Sequence, residues 1–284
     1  MARSSTVPEN SHHVRSISLP SRSHPNVGTI EEELIKLGNW SATTSSSSLK
    51  AEMICNGLFS LAELYNCVDD LLCLPLTQQE LVHQEHEKVV NDFLDESVRL
   101  MDICSSTSDI LSSMKEHVQN LQSTLRRRHG DLPLQKEVQA YLSFRKKMKK
   151  NASKIITSLT RKNINSAPSP LMLREVQNIT TSIFQSLIVF VSAPKTKHTR
   201  WSLVTKMMQK GQVACEGQGI NEMQTVDAEL NAFCHNKYDV GTAQQAQKAL
   251  KTLEVSIEEL ENGLECMFRH LIQTRVSILN ILTH

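Results

Sequence analysis

The sequence predicts an all-α protein: a long antiparallel helical bundle with coiled-coil-like seams, preceded by a disordered N-terminal arm. Three observations carry this. Glycine and proline number only nine and eight in 284 residues, too few for the many tight turns of an all-β chain. Aromatic residues make up 4%, so the core has to be built from Leu, Ile, Val and Met, a composition that suits helices. Past residue 48, apolar side chains recur at steps of three and four almost without interruption. A chain of this length buries a substantial core. It divides into an arm over 1–47 and a bundle domain over 48–284, with a polar linker near 161–170 where NINSAPSP carries two prolines.

The elements follow in order. A first helix begins near Ser48, carries Leu49, Met53, Leu61, Leu64, Val68 and Leu71 on one face, and stops at Pro75. Thr77 and Glu80 then have the spacing of a capping box, in which each side chain satisfies the other's free backbone N–H. From there to Gly130 nothing breaks the helix, which predicts a rod of about 75 Å at 1.5 Å per residue. Its seam is Val90, Phe93, Ser97, Leu100, Cys104, Thr107, Leu111, Met114, Val118, Leu121 and Leu125. The SSTSD run at 105–109 is the expected place for a bend, because short polar side chains compete for backbone hydrogen bonds.

A second long helix runs from about Leu134 to Thr160, with Val138, Tyr141, Leu142, Met148, Ile155, Ile156 and Leu159 inward. The short connection makes the two long helices antiparallel neighbours. Then come an apolar helix containing SIFQSLIVFVSA, the basic loop KTKHTR, a short WSLVTKMMQKG helix, and a modest helix over Glu222 to Phe233. From Thr242 onward the seam is the longest in the chain: Leu250, Leu253, Ile257, Leu260, Leu264, Met267, Leu271, Thr274, Ile278 and Ile281. A seam of this length needs a helical partner, and an internal bundle is favoured over a dimerising coiled coil because the two share this pattern. A second stripe past Phe268, through Ile272, Val276, Leu279 and Leu282, predicts that the C-terminal half is packed on two sides.

Net charge is +1, which gives no global attraction to nucleic acid or membrane, but the distribution is uneven. Residues 77–116 hold nine acids and three bases, 126–162 twelve bases and two acids, and 222–265 nine acids and three bases. The alternation predicts lateral attraction between antiparallel helices, as a guide to their order more than a source of stability. The basic block also supplies candidate contacts to an anionic surface: Arg126, Arg127 and Arg128 in RRRHG, and Lys146, Lys147, Lys149 and Lys150 in FRKKMKK. Sparse aromatics and the absence of an RNA-binding signature argue against nucleic acid. Arginines at a helix C-terminus also complement the helix dipole with no partner at all.

No motif for catalysis appears: no glycine-rich phosphate loop, no GxSxG elbow, no HExxH. Catalytic, cofactor and metal residues are therefore assigned to none. The nearest metal-like group is Glu80, His83, His86 and Glu87 in ELVHQEHE, which reads by default as a solvated helix face. The seven cysteines show no CxxC spacing and read as packed thiols, with Cys67 and Cys73 packing near the end of the first helix. LIVFV is far short of the roughly 20 apolar residues that span a bilayer, so SIFQSLIVFVSA is expected to be a buried helix.

Four stretches in order, HHVRSISLPSRSHP, LAELYNCVDDLLCLPLTQQEL, ESVRLMDICSSTSDIL through LQSTLRRRHGD, and ELENGLECMFRHLIQTRVSILNILTH, resemble the plant-specific BYPASS-like family, a plant domain of unknown function. The resemblance runs from His12 to the end of the chain. It implies a land-plant protein of helical fold, tied to root and shoot development, with no established catalytic residues to carry over.

The expected function is that of a non-enzymatic regulatory or scaffold protein with a phosphorylatable arm. The alternatives are a peripheral membrane protein using the basic block 126–162 and, third, an enzyme without a recognised motif. Within the arm, Arg15, Ser16, Ile17, Ser18, Leu19 and Pro20 match RSxSxP, which 14-3-3 adaptors accept when the second serine is phosphorylated. Arg15 stands three residues before Ser18, where basophilic kinases read an arginine, and the phosphate then pairs with the adaptor's arginine cluster. Pro20 steers the chain out of the groove. The first 25 residues, serine-rich with three arginines and Glu9 as their one acid, overlap in composition with a plastid transit peptide. Their prolines and lack of an apolar face favour a retained arm and a cytoplasmic protein, with plastid or membrane-associated placement as the alternative.

Overall fold

Helices form where the three- and four-residue apolar steps run. The computed structural model describes residues 25–44, 49–84, 86–127, 131–160, 172–192, 220–235 and 240–283. Among them are eight helices and no strand: α1 (Pro25–Thr44), α2 (Ala51–Leu72), α3 (Pro75–Val82), α4 (Glu87–Arg127), α5 (Asp131–Thr160), α6 (Leu173–Ser192), α7 (Glu222–His235) and α8 (Val240–Thr283). The expected WSLVTKMMQKG helix and the 161–170 linker lie outside the described residues.

The two long seams are buried as the periodicity predicts. On α8 every seam position from Leu250 to Ile278 is buried, with Ile281 half-buried at the end. On α4 the seam is buried from Val90 to Leu121, including the polar Ser97 and Thr107. The buried Thr107 hydroxyl is satisfied within the helix, donating back to the Ile103 carbonyl at 2.7 Å. Ser105 and Ser106 face outward, so α4 runs through 105–109 without the expected break.

Cross-helix contacts fix the directions. Thr274 donates to Asp69 at 2.6 Å, and Gly263 lies against Leu58, so α2 and α8 run parallel. Arg275 donates to the Leu94 carbonyl and to Ser97, while Lys115 pairs with Glu258 and Glu261, so α4 is antiparallel to α8. His117 and Phe144 stack at 4.6 Å, and Arg99 donates to the Ser158 carbonyl at 2.7 Å, which makes α5 antiparallel to α4, as the short connection requires. Tyr65 reaches Thr180, setting α6 antiparallel to α2. No described helix is long and apolar enough to cross a membrane. The LIVFV run of α6 is buried against its neighbours, with Leu187, Ile188, Phe190 and Val191 all at 0% exposure.

Four further expectations need correction. The helix expected to start at Thr77 is two helices. Pro75 takes the first helical position of α3, where its missing N–H costs nothing, and that places Thr77 inside the helix, buried, rather than at its cap. The chain turns at His83, whose ψ is 131°, and α4 restarts at Glu87, making a rod of about 60 Å rather than 75 Å. A capping box does exist elsewhere: Asn221 accepts from the Gln224 N–H at 2.8 Å, and Gln224 accepts from the Asn221 N–H at 3.3 Å.

The C-terminal half of α8 is not packed on two sides. Ile272, Val276, Leu279 and Leu282 are 41%, 48%, 38% and 38% exposed, because α2 and α4 cover the main seam and no described helix covers this flank. Cys73 is exposed rather than packed.

The segment assigned to the arm is partly bundle. Residues 25–44 form α1, which buries Ile30 and Leu37 and packs on α2 and α6. Trp40 donates from Nε1 to the Met53 carbonyl at 3.0 Å, and Ser41 meets Ser182 at 2.7 Å. The Trp40 ring rests on Gly57, where an added Cβ would sit 2.7 Å from the ring.

A glycine pair tests this packing. Ala is favoured over Gly in a helix interior by about 1 kcal/mol. At Gly57 a methyl forces the Trp40 ring aside, and overpacking of about 1–3 kcal/mol outweighs that gain. Gly57→Ala should therefore lower the melting temperature. Gly38→Ala, with nothing within 4 Å, should raise it. Thermal unfolding followed by circular dichroism checks both signs.

Candidate functional site

The strongest polar constellation in the molecule comes from a residue that sequence reasoning left in the basic block. Arg145 sits on the same face of α5 as Tyr141, Met148 and Ala152, and its side chain is only 2% exposed. Its Nε and Nη2 each donate at 2.9 Å to the two carboxylate oxygens of Asp227 on α7. Its Nη1 donates at 2.9 Å to the Val191 carbonyl in the last turn of α6, one of the carbonyls a helix end leaves unpaired. Tyr141 and Lys149 donate to the same carboxylate, each at 3.2 Å. Burial alone would raise the Asp227 pKa. The Arg145 hydrogen bonds and charge, with Lys149, overcome that and hold it below the usual carboxylate range. Burial and the neighbouring carboxylate push the Tyr141 phenol well up. The group is an interhelical clamp. The one sequence signal for it was the position of Arg145 in the apolar register of α5.

A second polar layer lies between α2, α6 and α8. Tyr65 reaches Thr180 at 3.2 Å, its ring lies 6.5 Å from that of His270, and Asp69 accepts from Thr274. Burial raises the Asp69 pKa, against the opposing pull of Thr274 and His270. Burial also pushes the Cys104 thiol up to about 12, and burial with Glu259 and Glu222 pushes Cys55 up to about 11, so both are protonated thiols suited to packing. The end of α3 at Val82 takes Glu80, His83 and Glu87 off a common helical face. Among the described residues no group of three His, Cys, Asp or Glu is placed to hold a metal.

The predicted surface residues do not form one patch. Arg15, Ser16, Ser18, Pro20 and Arg128 lie outside the described residues. Arg126 and Arg127 are exposed at the end of α4, with Arg126 donating to Gln122 at 3.3 Å. The His117–Phe144 stack sets the register of α4 and α5, and by it Arg126 lies about 18 Å along the axis from Lys147. Lys149 is half-buried in the Asp227 clamp. Lys146, Lys147 and Lys150 are exposed, and Lys136 and Lys154, which sequence reasoning did not single out, extend the row along the outer face of α5. None of these five has an ion pair among the described residues, and no acid is exposed on α5 beyond Leu134.

Next to this row, α4 turns Asp95, Asp102, Asp109 and Glu116 outward at seven-residue spacing, again without ion pairs among the described residues. The expected attraction between acidic and basic helices is realised elsewhere: Lys115 reaches α8, and Arg145 and Lys149 reach α7. Between α4 and α5 the opposite charges stand side by side and face solvent. The helices meet through their apolar seams, so their charged rows point away from each other's contact.

A family model described as Protein BPS1 matches residues 57–281 of the 284. The chain belongs to the BPS1 family. No curated protein and no solved structure matches it. The match begins within α2 and ends within α8, so the BPS1-family region contains the Arg145–Asp227 clamp and both charged rows, and leaves α1 outside.

Breaking one side of a buried, hydrogen-bonded ion pair costs about 3–5 kcal/mol, because the other charge is left buried. Arg145→Met should destabilise the protein on this scale, and the double replacement Arg145→Met/Asp227→Leu should recover most of the loss, as read from urea denaturation. A carboxylate held below its unfolded pKa of about 3.9 contributes stability above that pH and loses it as pH falls through the folded value. Asp227→Asn should therefore flatten the acid limb of the stability profile below about pH 4.

Proposed function

We propose that this BPS1-family protein is a non-enzymatic regulatory scaffold in plant development, docking partners on a rigid helical face and regulated through its N-terminal arm. The observation that carries the reading is the row Lys136, Lys146, Lys147, Lys150 and Lys154, exposed on α5 with no counter-charge on that helix's outer face. A row of lysines fixed on one helix attracts an anionic surface and speeds its approach. The most strongly bonded polar side chains, Arg145, Asp227 and Tyr141, are engaged between helices. Root and shoot development is what the family resemblance implies. Ser18 in RSISLP adds a phosphate-dependent 14-3-3 adaptor site, and a cytoplasmic location fits a retained arm.

A second reading, a peripheral membrane protein, is favoured by the same lysines, since a basic row also attracts anionic lipid. Sedimentation with phosphatidylserine vesicles separates the two. Salt-sensitive binding by the wild type that is lost in Lys146→Glu/Lys147→Glu/Lys150→Glu/Lys154→Glu supports the membrane reading. The scaffold reading expects no vesicle binding and expects the same variant to lose partners in proximity labelling. For the arm, a peptide spanning Asn10 to Asn26 should bind a plant 14-3-3 protein at micromolar affinity or tighter with phosphate on Ser18, and lose it in Ser18→Ala. Equal weak binding of both forms would remove the adaptor from the proposal.

A further inference from the structure

The exposed stripe of α8 continues a face that is paired higher up. There Glu254 accepts from Gln119 and Gln122, and Glu258 and Glu261 pair with Lys115, so this is the α4 side of α8. At steps of three and four below Glu261 the same face continues through Glu265 to Phe268, half-buried, and to the exposed Ile272, Val276 and Leu279. Arg275 fixes the level of α4 here by donating to Leu94 and Ser97. Leu94, Val98 and Met101 follow one another at steps of four and three, so the α4 edge of the flank is apolar too, with Val98 exposed. Asp95 and Asp102, three residues before Val98 and four after it, rim the flank, exposed and without ion pairs among the described residues.

The dimensions choose the occupant. From Phe268 to Leu282 the stripe is about 21 Å long, and the groove between two helices is about 10 Å wide, or roughly 200 Å². That is about a quarter of the roughly 800 Å² each partner gives to a standard interface, too little for a stable second copy. It suits one extended peptide of six or seven residues, about 20 Å long.

The chain supplies such a peptide from the same end of the bundle. Ile30, in the second turn of α1, lines a crevice with Leu72 and Leu81, and Asp69, one turn before Leu72, meets Thr274 of α8. From α1 across α2 to the far side of α8 is roughly 20–25 Å, at 8–10 Å per neighbouring pair. Eight residues separate Ile17 from Pro25 and span at most about 29 Å. Ile17 and Leu19 stand two residues apart, so an extended backbone puts both on one side about 6.6 Å apart and Ser18 on the other. Ile272 and Val276 are about 6 Å apart along α8. Arg15 and Arg22 bracket the pair, opposite in charge to Asp95 and Asp102.

We propose that the N-terminal arm docks on the α4–α8 flank of its own bundle, with Ile17 and Leu19 on the apolar stripe and Arg15 and Arg22 toward Asp95 and Asp102, and that phosphate on Ser18 releases it. This deepens the reading of the arm as a regulatory element and rests on it. A phosphate brings a charge of about −1.5 to −2 to within about one Debye length of the two carboxylates and cancels the attraction that the arginines supply. The flank and an adaptor then compete for one segment, and phosphorylation favours the adaptor twice.

Photocrosslinking tests this on the full chain. Leu19→benzoylphenylalanine should couple within one chain to Val98, Ile272 or Val276, as read by mass spectrometry of the monomer band. Ile272→Glu/Val276→Glu should cut that coupling about tenfold. Phosphorylation of Ser18 by a basophilic kinase should do the same, and Ser18→Ala should leave the coupling unchanged. With no crosslinker, trypsin cleavage after Arg15 and Arg22 should be about tenfold slower in the wild type than in Ile272→Glu/Val276→Glu. Both substituted positions are exposed, and circular dichroism confirms the helical fold of the variant. Coupling to another surface overturns the proposal, as does equal cleavage of the two proteins. A crosslinked dimer joined at the flank overturns it in favour of a second copy. Coupling that survives phosphorylation unchanged overturns the release. Loss of docking with phosphate-dependent adaptor binding intact overturns this inference alone and leaves the arm's regulatory reading standing, whereas equal weak adaptor binding of both peptide forms removes the adaptor without touching the docking.

Discussion

The guanidinium of Arg145 on α5 is bonded to both α6 and α7 and holds these three helices together. Burying an arginine is unfavourable unless its donors are all directed at acceptors, and here three of its nitrogens are: two on the Asp227 carboxylate and one on the Val191 carbonyl. The arrangement cannot slide. A shift of α7 by one residue removes the carboxylate, and a shift of α6 removes the carbonyl. Neighbouring apolar seams, by contrast, tolerate small displacements at modest cost. Exposed pairs such as Lys36–Glu33 and Arg269–Glu265 are worth at most about 1 kcal/mol and impose no such restriction.

Hydrogen bonds from other elements hold the end of α6 and the start of α7. Asn221 donates to the Phe190 carbonyl at 3.3 Å while Arg145 takes the next carbonyl, so two of the carbonyls left open at the end of α6 are satisfied by residues from outside that helix. Glu222, in the first turn of α7, then accepts from the Ala51 N–H at 3.2 Å, tying the start of α7 to the start of α2.

Outside the Arg145–Asp227 clamp, the outward rows of α4 and α5 carry opposite charge. α4 keeps Asp95, Asp102, Asp109 and Glu116 outside, while Glu96 is buried and paired with Arg99. α5 keeps Lys136, Lys146, Lys147, Lys150 and Lys154 outside. Their contact is apolar and their charged rows are left to the solvent side. Among the described residues, the crevice lined by Ile30, Val68, Leu72, Leu81 and Val176 offers no polar group but Thr77.

The sequence by itself determined the fold class, the two long seams and the antiparallel turn between α4 and α5, because each follows from periodicity and the position of a few prolines, which act locally. It also determined that LIVFV is interior. The tertiary structure decided the rest. The displaced Thr77 cap is the exception, a local effect of Pro75, whose fixed φ sets the start of α3 two residues earlier. α1 joined the bundle because Trp40 found Gly57, about seventeen residues along the chain and on another helix. Arg145 left the surface block because its register placed it against Val191 and Asp227, 46 and 82 residues away. The pairing of α8 with α2 and α4 left Ile272, Val276, Leu279 and Leu282 uncovered, although their pattern alone matched a buried stripe. Periodicity says which face of a helix is apolar, but only the arrangement of the neighbours decides whether that face is covered.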